Sequence, residues 1–149
     1  MYKLLVGRLR DVIPIYVSAW SDRRPSIDLL VARAEKMKAD GFRAIKIYPM
    51  EFSSLTDAET CVRHVREAIG WDTDLMIDLN GLEEPYLAIQ AARSFEPYEP
   101  FWFEEPLSSD DVSALNHVRS ASRLRIVSGE RHGGFSGSGR SWNVRRRTS

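Results

Sequence analysis

Short apolar runs alternate with longer amphipathic segments along this chain. The apolar runs predict five strands, at 12–20 (VIPIYVSAW), 43–49 (RAIKIYP), 73–81 (TDLMIDLNG), 101–104 (FWFE) and 124–130 (LRIVSGE). The segments between them have apolar residues at helical spacing and predict four helices, over 26–41, 56–70, 83–95 and 108–121. Five strands joined by four helices, with no hairpin signal, predict an α/β fold with a parallel sheet.

Local chemistry sets the expected helix boundaries. Ser26 is a natural cap for the first helix, which Gly41 ends. The second helix is expected to begin at Thr56, because Thr56 and Glu59 have the spacing of a capping box.

Three acidic residues recur at one point of consecutive units. Asp78, Glu104 and Glu130 each stand at or just beyond the end of a predicted strand, and 26 residues separate each from the next. One βα unit of an eight-stranded barrel averages about 30 residues, and the carboxyl ends of its strands lie side by side on the face that carries active sites. The spacing therefore favours a partial (β/α)8 TIM-type barrel of about five parallel strands, with three carboxylates on that face.

Each acid also has a structural interpretation. Asp78 precedes Asn-Gly and suits a turn, Glu104 with the following Glu-Pro suits a helix start, and Glu130 suits a solvated loop. If the three converge, oxygen ligands of this kind suit a hard cation such as Mg²⁺. Without a cation, three converging carboxylates would repel, and at least one would stay protonated.

Composition narrows the function classes. The 149 residues are 43% apolar and 28% charged, as in an ordinary soluble domain. Five arginines and no acid follow Glu130, which leaves 16 basic against 21 acidic residues in 1–130, a net charge of about −5. An acidic body argues against nucleic acid as the partner. A single cysteine, no signal peptide and no membrane-length apolar run predict a cytoplasmic protein without a membrane partner.

The ordered motifs KIY (46–48), DLN (78–80), FEEPL (103–107) and SGE (128–130) resemble the enolase superfamily, in its mandelate racemase/muconate lactonising branch. The resemblance extends from about residue 2 to 134. It implies that Asp78, Glu104 and Glu130 are Mg²⁺ ligands, with Glu105 supporting them from behind. The implied chemistry is abstraction of the proton next to a substrate carboxylate, with the metal stabilising the enediolate as a Lewis acid.

The resemblance also implies roles for other residues. Lys46 corresponds to the lysine beside the substrate carboxylate, although a strand lysine reaching solvent is the plain alternative. Tyr48 occupies the position where the family often has a basic lysine, and a phenol with a pKa of about 10 is a poor base at neutral pH. This favours the acid-sugar dehydratases of the branch, whose base is a histidine on a later strand. Asn80 and His132 are candidate substrate contacts, and Asn80 is equally suited to a plain turn.

The resemblance lacks two parts of the family's fold, which are the capping domain and the last three strands of the barrel. Residues 1–11 are interpreted as the link from a missing capping domain, 12–135 as strands one to five of the barrel, and 136–149 as a disordered basic tail, for which a reading-frame shift is one explanation. We expect an enzyme fragment that is inactive alone and self-associates through the exposed edges of strands one and five. The alternatives are a non-catalytic metal-binding or inert half-barrel and, less favoured, an interaction module that uses the basic tail.

Overall fold

A five-stranded parallel sheet organises the fold. The computed structural model describes residues 7, 10–18, 26–52, 54–82 and 84–131. The strands are β1 (Val17–Ser18), β2 (Ala44–Ile47), β3 (Asp74–Asp78), β4 (Trp102–Glu104) and β5 (Ile126–Val127). The helices are α1 (Ile27–Ala39), α2 (Leu55–Ile69), α3 (Pro85–Phe95) and α4 (Val112–Ala121), with short 3₁₀ turns at Pro49–Glu51 and Glu96–Tyr98.

The strands lie in chain order, from β1 to β5, and every pairing is parallel. Each strand is followed by a helix up to α4, as the sequence pattern predicted. Over the described residues the sheet does not close on itself, so β1 and β5 are its edges there. The predicted fold class, a partial α/β barrel with about five parallel strands, is confirmed.

The two faces of the sheet differ in chemistry. Ile45, Ile47, Leu75, Ile77 and Phe103 are fully buried in one apolar core with residues of the helices. Because successive side chains of a strand point to opposite faces, the residues between them, beginning with Lys46 and Met76, lie on the other face. That second face carries the polar groups described below.

Two helix starts test the capping predictions. The Ser26 hydroxyl accepts a hydrogen bond from the Leu29 amide at 3.2 Å, so this predicted cap is confirmed. The prediction of a capping box at Thr56 is wrong, because Ser54 caps α2. The Ser54 hydroxyl accepts a hydrogen bond from the Asp57 amide at 3.1 Å. A Ser-x-x-Asp sequence two residues earlier competes for the same role, and the chain enters the helix there.

The first strand is shorter than predicted. Of the predicted segment 12–20, residues 17 and 18 pair with β2, and 19–20 lie outside the described residues. Val12 and Ile13 are 79% and 74% exposed. Among the described residues, no strand pairs with the outer side of β1. Pro14 has no N–H to donate, so the residues before it have little to hold them in a ladder.

Cys61 is a free cysteine in α2. The Cys61 thiol is buried in the core, and burial raises its pKa to about 12, which suppresses the reactive thiolate. Within the described residues, no helix combines the length and apolar character needed to cross a bilayer.

Candidate active site

A lysine and two carboxylates meet at the carboxyl end of the central strands. The Lys46 Nζ lies 3.0 Å from Asp78 Oδ2 and 3.0 Å from each carboxylate oxygen of Glu104. All three residues are buried, with 4–9% of their surface exposed. The structure therefore brings together three of the sequence-predicted site residues.

Sheet register explains this convergence. Asp78 and Glu104 are direct neighbours across β3 and β4, at the last position of each strand. Lys46 pairs with Met76, which lies two residues before Asp78 and on the same face of β3. The long Lys46 side chain extends past Met76 and reaches the carboxylate of Asp78 on β3 and that of Glu104 on β4.

The electrostatics of the cluster favour a charged lysine. Burial by itself would lower the Lys46 pKa, but the hydrogen bonds and charges of Asp78 and Glu104 outweigh it and raise that pKa above its ordinary value. The ammonium is therefore a fixed positive charge between two buried acids.

Two aromatic residues that the sequence analysis did not single out border this cluster. The Trp102 indole N–H donates to Glu104 Oε2 at 3.0 Å. The Tyr16 ring stands edge-on to Trp102, with centroids 5.4 Å apart, and the Lys46 Nζ lies 5.5 Å from the Tyr16 ring centre. Trp102 precedes Glu104 by two residues in one strand, and this spacing was the signal that both share a face.

Glu105 is fully buried, and its side-chain hydrogen-bond partners lie in the loop after β5 rather than in the Lys46 cluster. Its Oε1 accepts hydrogen bonds from the Ser128 hydroxyl at 3.2 Å, from the Gly129 amide at 2.5 Å and from the Glu130 amide at 3.2 Å. Glu105 also has a φ of 41°, a left-handed conformation that is uncommon for a residue with a side chain. This turn sends adjacent carboxylates in different directions, one toward Lys46 and one beneath the loop after β5.

The Asp78–Asn80 turn lies at the same end of the sheet. Asp78 Oδ1 accepts a hydrogen bond from the Asn80 amide at 2.9 Å, which is the turn-forming role considered for Asp78. Arg131 donates from one nitrogen to both the Asn80 carbonyl and its side-chain oxygen, each at 2.9 Å. Asp78 thus serves the turn with one oxygen and Lys46 with the other.

The remaining predicted site residues are Glu130, Tyr48 and His132. Glu130 has its backbone amide at this end, but its side chain is 52% exposed and lies 3.9 Å from Arg131 Nε. Tyr48 is half-buried just beyond β2, at the start of the Pro49–Glu51 turn. His132 lies outside the described residues. Within the described part of the chain, no three acidic, histidine or cysteine side chains are grouped closely enough to hold a metal.

A cleft of about 690 Å³ opens at the opposite, amino end of the strands, between the end of α2 and the turns before β4 and β5. Its lining includes Arg66, Thr73 and Phe101. Barrel enzymes place catalysis at the carboxyl end of the strands and structural stability at the amino end. The Lys46 cluster, rather than this cleft, is the candidate active site.

Comparison with known proteins identifies the class. Residues 29–140 match the enolase C-terminal domain-like family. The chain is 35% identical over 138 residues to the D-gluconate dehydratase of Thermoproteus tenax, covering 88% of this chain and 28% of that enzyme. It is 28% identical to the D-galactonate dehydratase of Pectobacterium atrosepticum, covering 88% of this chain and 35% of the relative.

A solved structure extends the comparison to three dimensions. The 3,6-anhydro-D-galactonate cycloisomerase from Zobellia galactanivorans superimposes with a TM-score of 0.85 at 30% identity, over 94% of this chain and 38% of that one. The chain belongs to the enolase superfamily, in its mandelate racemase/muconate lactonising branch. It spans 28% to 38% of the length of the three relatives described here.

Proposed function

We propose that this chain is the ligand-bearing part of a Mg²⁺-dependent enzyme that removes the proton next to the carboxylate of an acid sugar. The observation that carries the proposal is the cluster of Lys46, Asp78 and Glu104, within 3.0 Å contacts at the carboxyl end of a barrel-type sheet. The dehydratase relatives favour an acid-sugar hydro-lyase over a racemase or cycloisomerase.

The donor set fits a magnesium ion in part. Asp78 and Glu104 supply adjacent carboxylate oxygens, and Mg²⁺ is commonly held by one or two protein carboxylates together with water and substrate oxygens. Glu130 is proposed as the third ligand, because Glu105 holds its backbone at the same end of the sheet. When bound, the ion would supply Lewis-acid stabilisation of the substrate carboxylate.

The chain's own residues would bind and orient the acid sugar. Lys46 is proposed to face the substrate carboxylate and to stabilise the negative charge that develops as the proton leaves. Tyr48, Asn80 and His132 are proposed substrate contacts, and Tyr48 is a poor candidate for the base. Glu105 is proposed to position the loop that carries Glu130.

The proposal includes a division of the chain. Residues 1–11 would link to a capping domain, 12–135 would form strands one to five of the barrel, and 136–149 would be a basic tail. A strong base is not among the proposed residues, so we expect no turnover by this chain alone.

A cytoplasmic location also remains a prediction. The second candidate function is a non-catalytic half-barrel, favoured by the open sheet and the exposed Glu130 side chain.

Acid-sugar binding tests the proposal. The purified chain should be stabilised by D-gluconate or D-galactonate in thermal melts when Mg²⁺ is present and not when it is absent, because the metal would help the proposed site residues to hold the substrate carboxylate. Proton NMR of the same mixtures should show no conversion to a 2-oxo-3-deoxy acid, the product of water loss. Glu104→Gln should remove the stabilisation, while the exposed helix variant Glu35→Gln should keep it.

The outcomes separate the candidates. Stabilisation that needs Mg²⁺ and Glu104 supports the ligand-bearing fragment. No effect of either acid sugar at any Mg²⁺ concentration supports the inert half-barrel. Turnover that Glu104→Gln abolishes would contradict the expectation that the chain is inactive alone.

We also propose that the chain self-associates through its sheet edges. In the part of the chain that the structure describes, β1 and β5 each pair with a strand on one side only, and unpaired backbone groups at an edge are a template for other chains. Sedimentation velocity should therefore show a sedimentation coefficient that rises with protein concentration. A single monomeric species over a hundredfold range of concentration would contradict this proposal.

A further inference from the structure

The Lys46 ammonium occupies the place between the two carboxylates where a cation would act on both. An ammonium group has three donors, and the Lys46 Nζ has three carboxylate oxygens at 3.0 Å. The Lys46 side chain is 9% exposed, and the Tyr16 ring lies near the ammonium. The lysine is thus held at this position rather than reaching solvent.

Every carboxylate oxygen of the pair already has a partner. Asp78 Oδ1 accepts from the Asn80 amide, and Asp78 Oδ2 contacts Lys46. Glu104 Oε1 accepts from Lys46, and Glu104 Oε2 accepts from both Lys46 and the Trp102 indole. The pair is therefore satisfied without any metal ion.

Charge makes the lysine and a divalent cation competitors. Two carboxylates and one ammonium sum to a single negative charge, whereas two buried carboxylates alone carry two. A divalent ion added beside the ammonium would meet a positive charge a few ångströms away in a poorly solvated site. The lysine ammonium already contacts three of the four carboxylate oxygens of the pair, so a divalent ion would compete with it for the same oxygens.

We propose that Lys46 is a built-in counter-ion of the Asp78–Glu104 pair, and that a divalent cation binds this pair only by displacing the lysine ammonium. This inference rests on the proposed metal site and gives a reason to expect that the site binds Mg²⁺ weakly. It gives Lys46 a second role, in setting metal affinity, besides the proposed contact with substrate.

Neutral variants of Lys46 test the competition. Lys46→Met should lower the melting temperature without metal, because it removes the positive charge that neutralises one of two buried carboxylates. The same variant should bind Mg²⁺ roughly tenfold more tightly, or better, because no ammonium has to leave. Binding is measured by calorimetry and by the rise in melting temperature over a series of Mg²⁺ concentrations. Lys46→Gln is a second neutral variant that keeps donors for the carboxylates if the methionine variant fails to fold.

Two controls fix the interpretation. Lys46→Arg keeps the positive charge and should leave Mg²⁺ binding as weak as in the wild type. Lys36→Met removes a lysine from an exposed ion pair with Asp40. This variant should change neither the Mg²⁺ affinity nor the rise in melting temperature that Mg²⁺ causes.

Each outcome points to one conclusion. Tighter Mg²⁺ binding by both neutral variants supports the counter-ion role. Equal affinity of the wild type and the neutral variants, with Glu104→Gln still abolishing the binding heat, overturns the counter-ion role and leaves the metal site intact. No Mg²⁺ binding by the wild type, Lys46→Met and Lys46→Gln alike overturns the metal site and this inference together.

Discussion

Replacing Arg66 with alanine is expected to destabilise the chain by roughly 3 to 5 kcal/mol, because it removes four hydrogen bonds that a single buried side chain donates. Arg66 is 3% exposed. Its guanidinium donates to the Gly70 and Thr73 carbonyls at 2.8 Å each, to the Tyr98 carbonyl at 2.9 Å and to the Glu99 carbonyl at 3.3 Å. These carbonyls lose a charged donor in the variant, and the side chain leaves a cavity.

The arginine joins three segments at the amino end of the sheet. Gly70 ends α2, Thr73 precedes β3, and the Tyr98–Glu99 turn leads toward β4. Burial lowers the Arg66 pKa, even though the charges of Glu99 and Asp74 act in the opposite sense. The hydrogen bonds to carbonyls therefore have to offset the cost of burying a charge.

Thermal and urea unfolding measure this effect. The melting temperature should fall on the order of 10 °C for a chain of this size. Arg66→Lys should recover a part of the loss, because an ammonium has three donors and lacks the planar fork that reaches carbonyls in several directions. Arg63→Ala, on the exposed face of the same helix, should cost under about 1 kcal/mol. Equal losses for Arg66→Ala and Arg63→Ala would show that the carbonyl contacts contribute little.

The sequence contained most of the architecture. Strand and helix order followed from periodicity, and the parallel arrangement followed from the alternation of the two. Arg66 was missed, although it falls four residues after Val62 and three before Ile69, on the buried face of α2. An arginine at apolar helical spacing indicates burial, but its carbonyl partners come from turns whose paths depend on tertiary packing.

The candidate site was predicted in part. The 26-residue spacing placed Asp78 and Glu104 at neighbouring strand ends, and the structure has them as register partners. The reach of Lys46 across two strands depends on sheet register and twist, which periodicity does not specify. The backbone turn at Glu105 likewise separates two adjacent acids in a way that no residue preference indicates, because glutamate rarely adopts a positive φ.

The second large effect is expected on metal binding. Asp78→Asn and Glu104→Gln each keep the shape of the side chain but remove one of the two buried charges beside Lys46. An amide oxygen is a weaker magnesium ligand than a carboxylate, so each change should abolish detectable Mg²⁺ binding. Glu130→Gln should weaken binding less, because this side chain is half exposed and outside the Lys46 cluster.

Calorimetric titration of Mg²⁺ into the wild-type chain, Asp78→Asn, Glu104→Gln and the exposed control Glu35→Gln tests the central claim most directly. We expect weak, saturable binding at one site in the wild type and in Glu35→Gln, and no binding heat in the two cluster variants. Tight binding in all four proteins, or the same titration curve for the wild type and Glu104→Gln, would contradict the assignment of this cluster as the metal site.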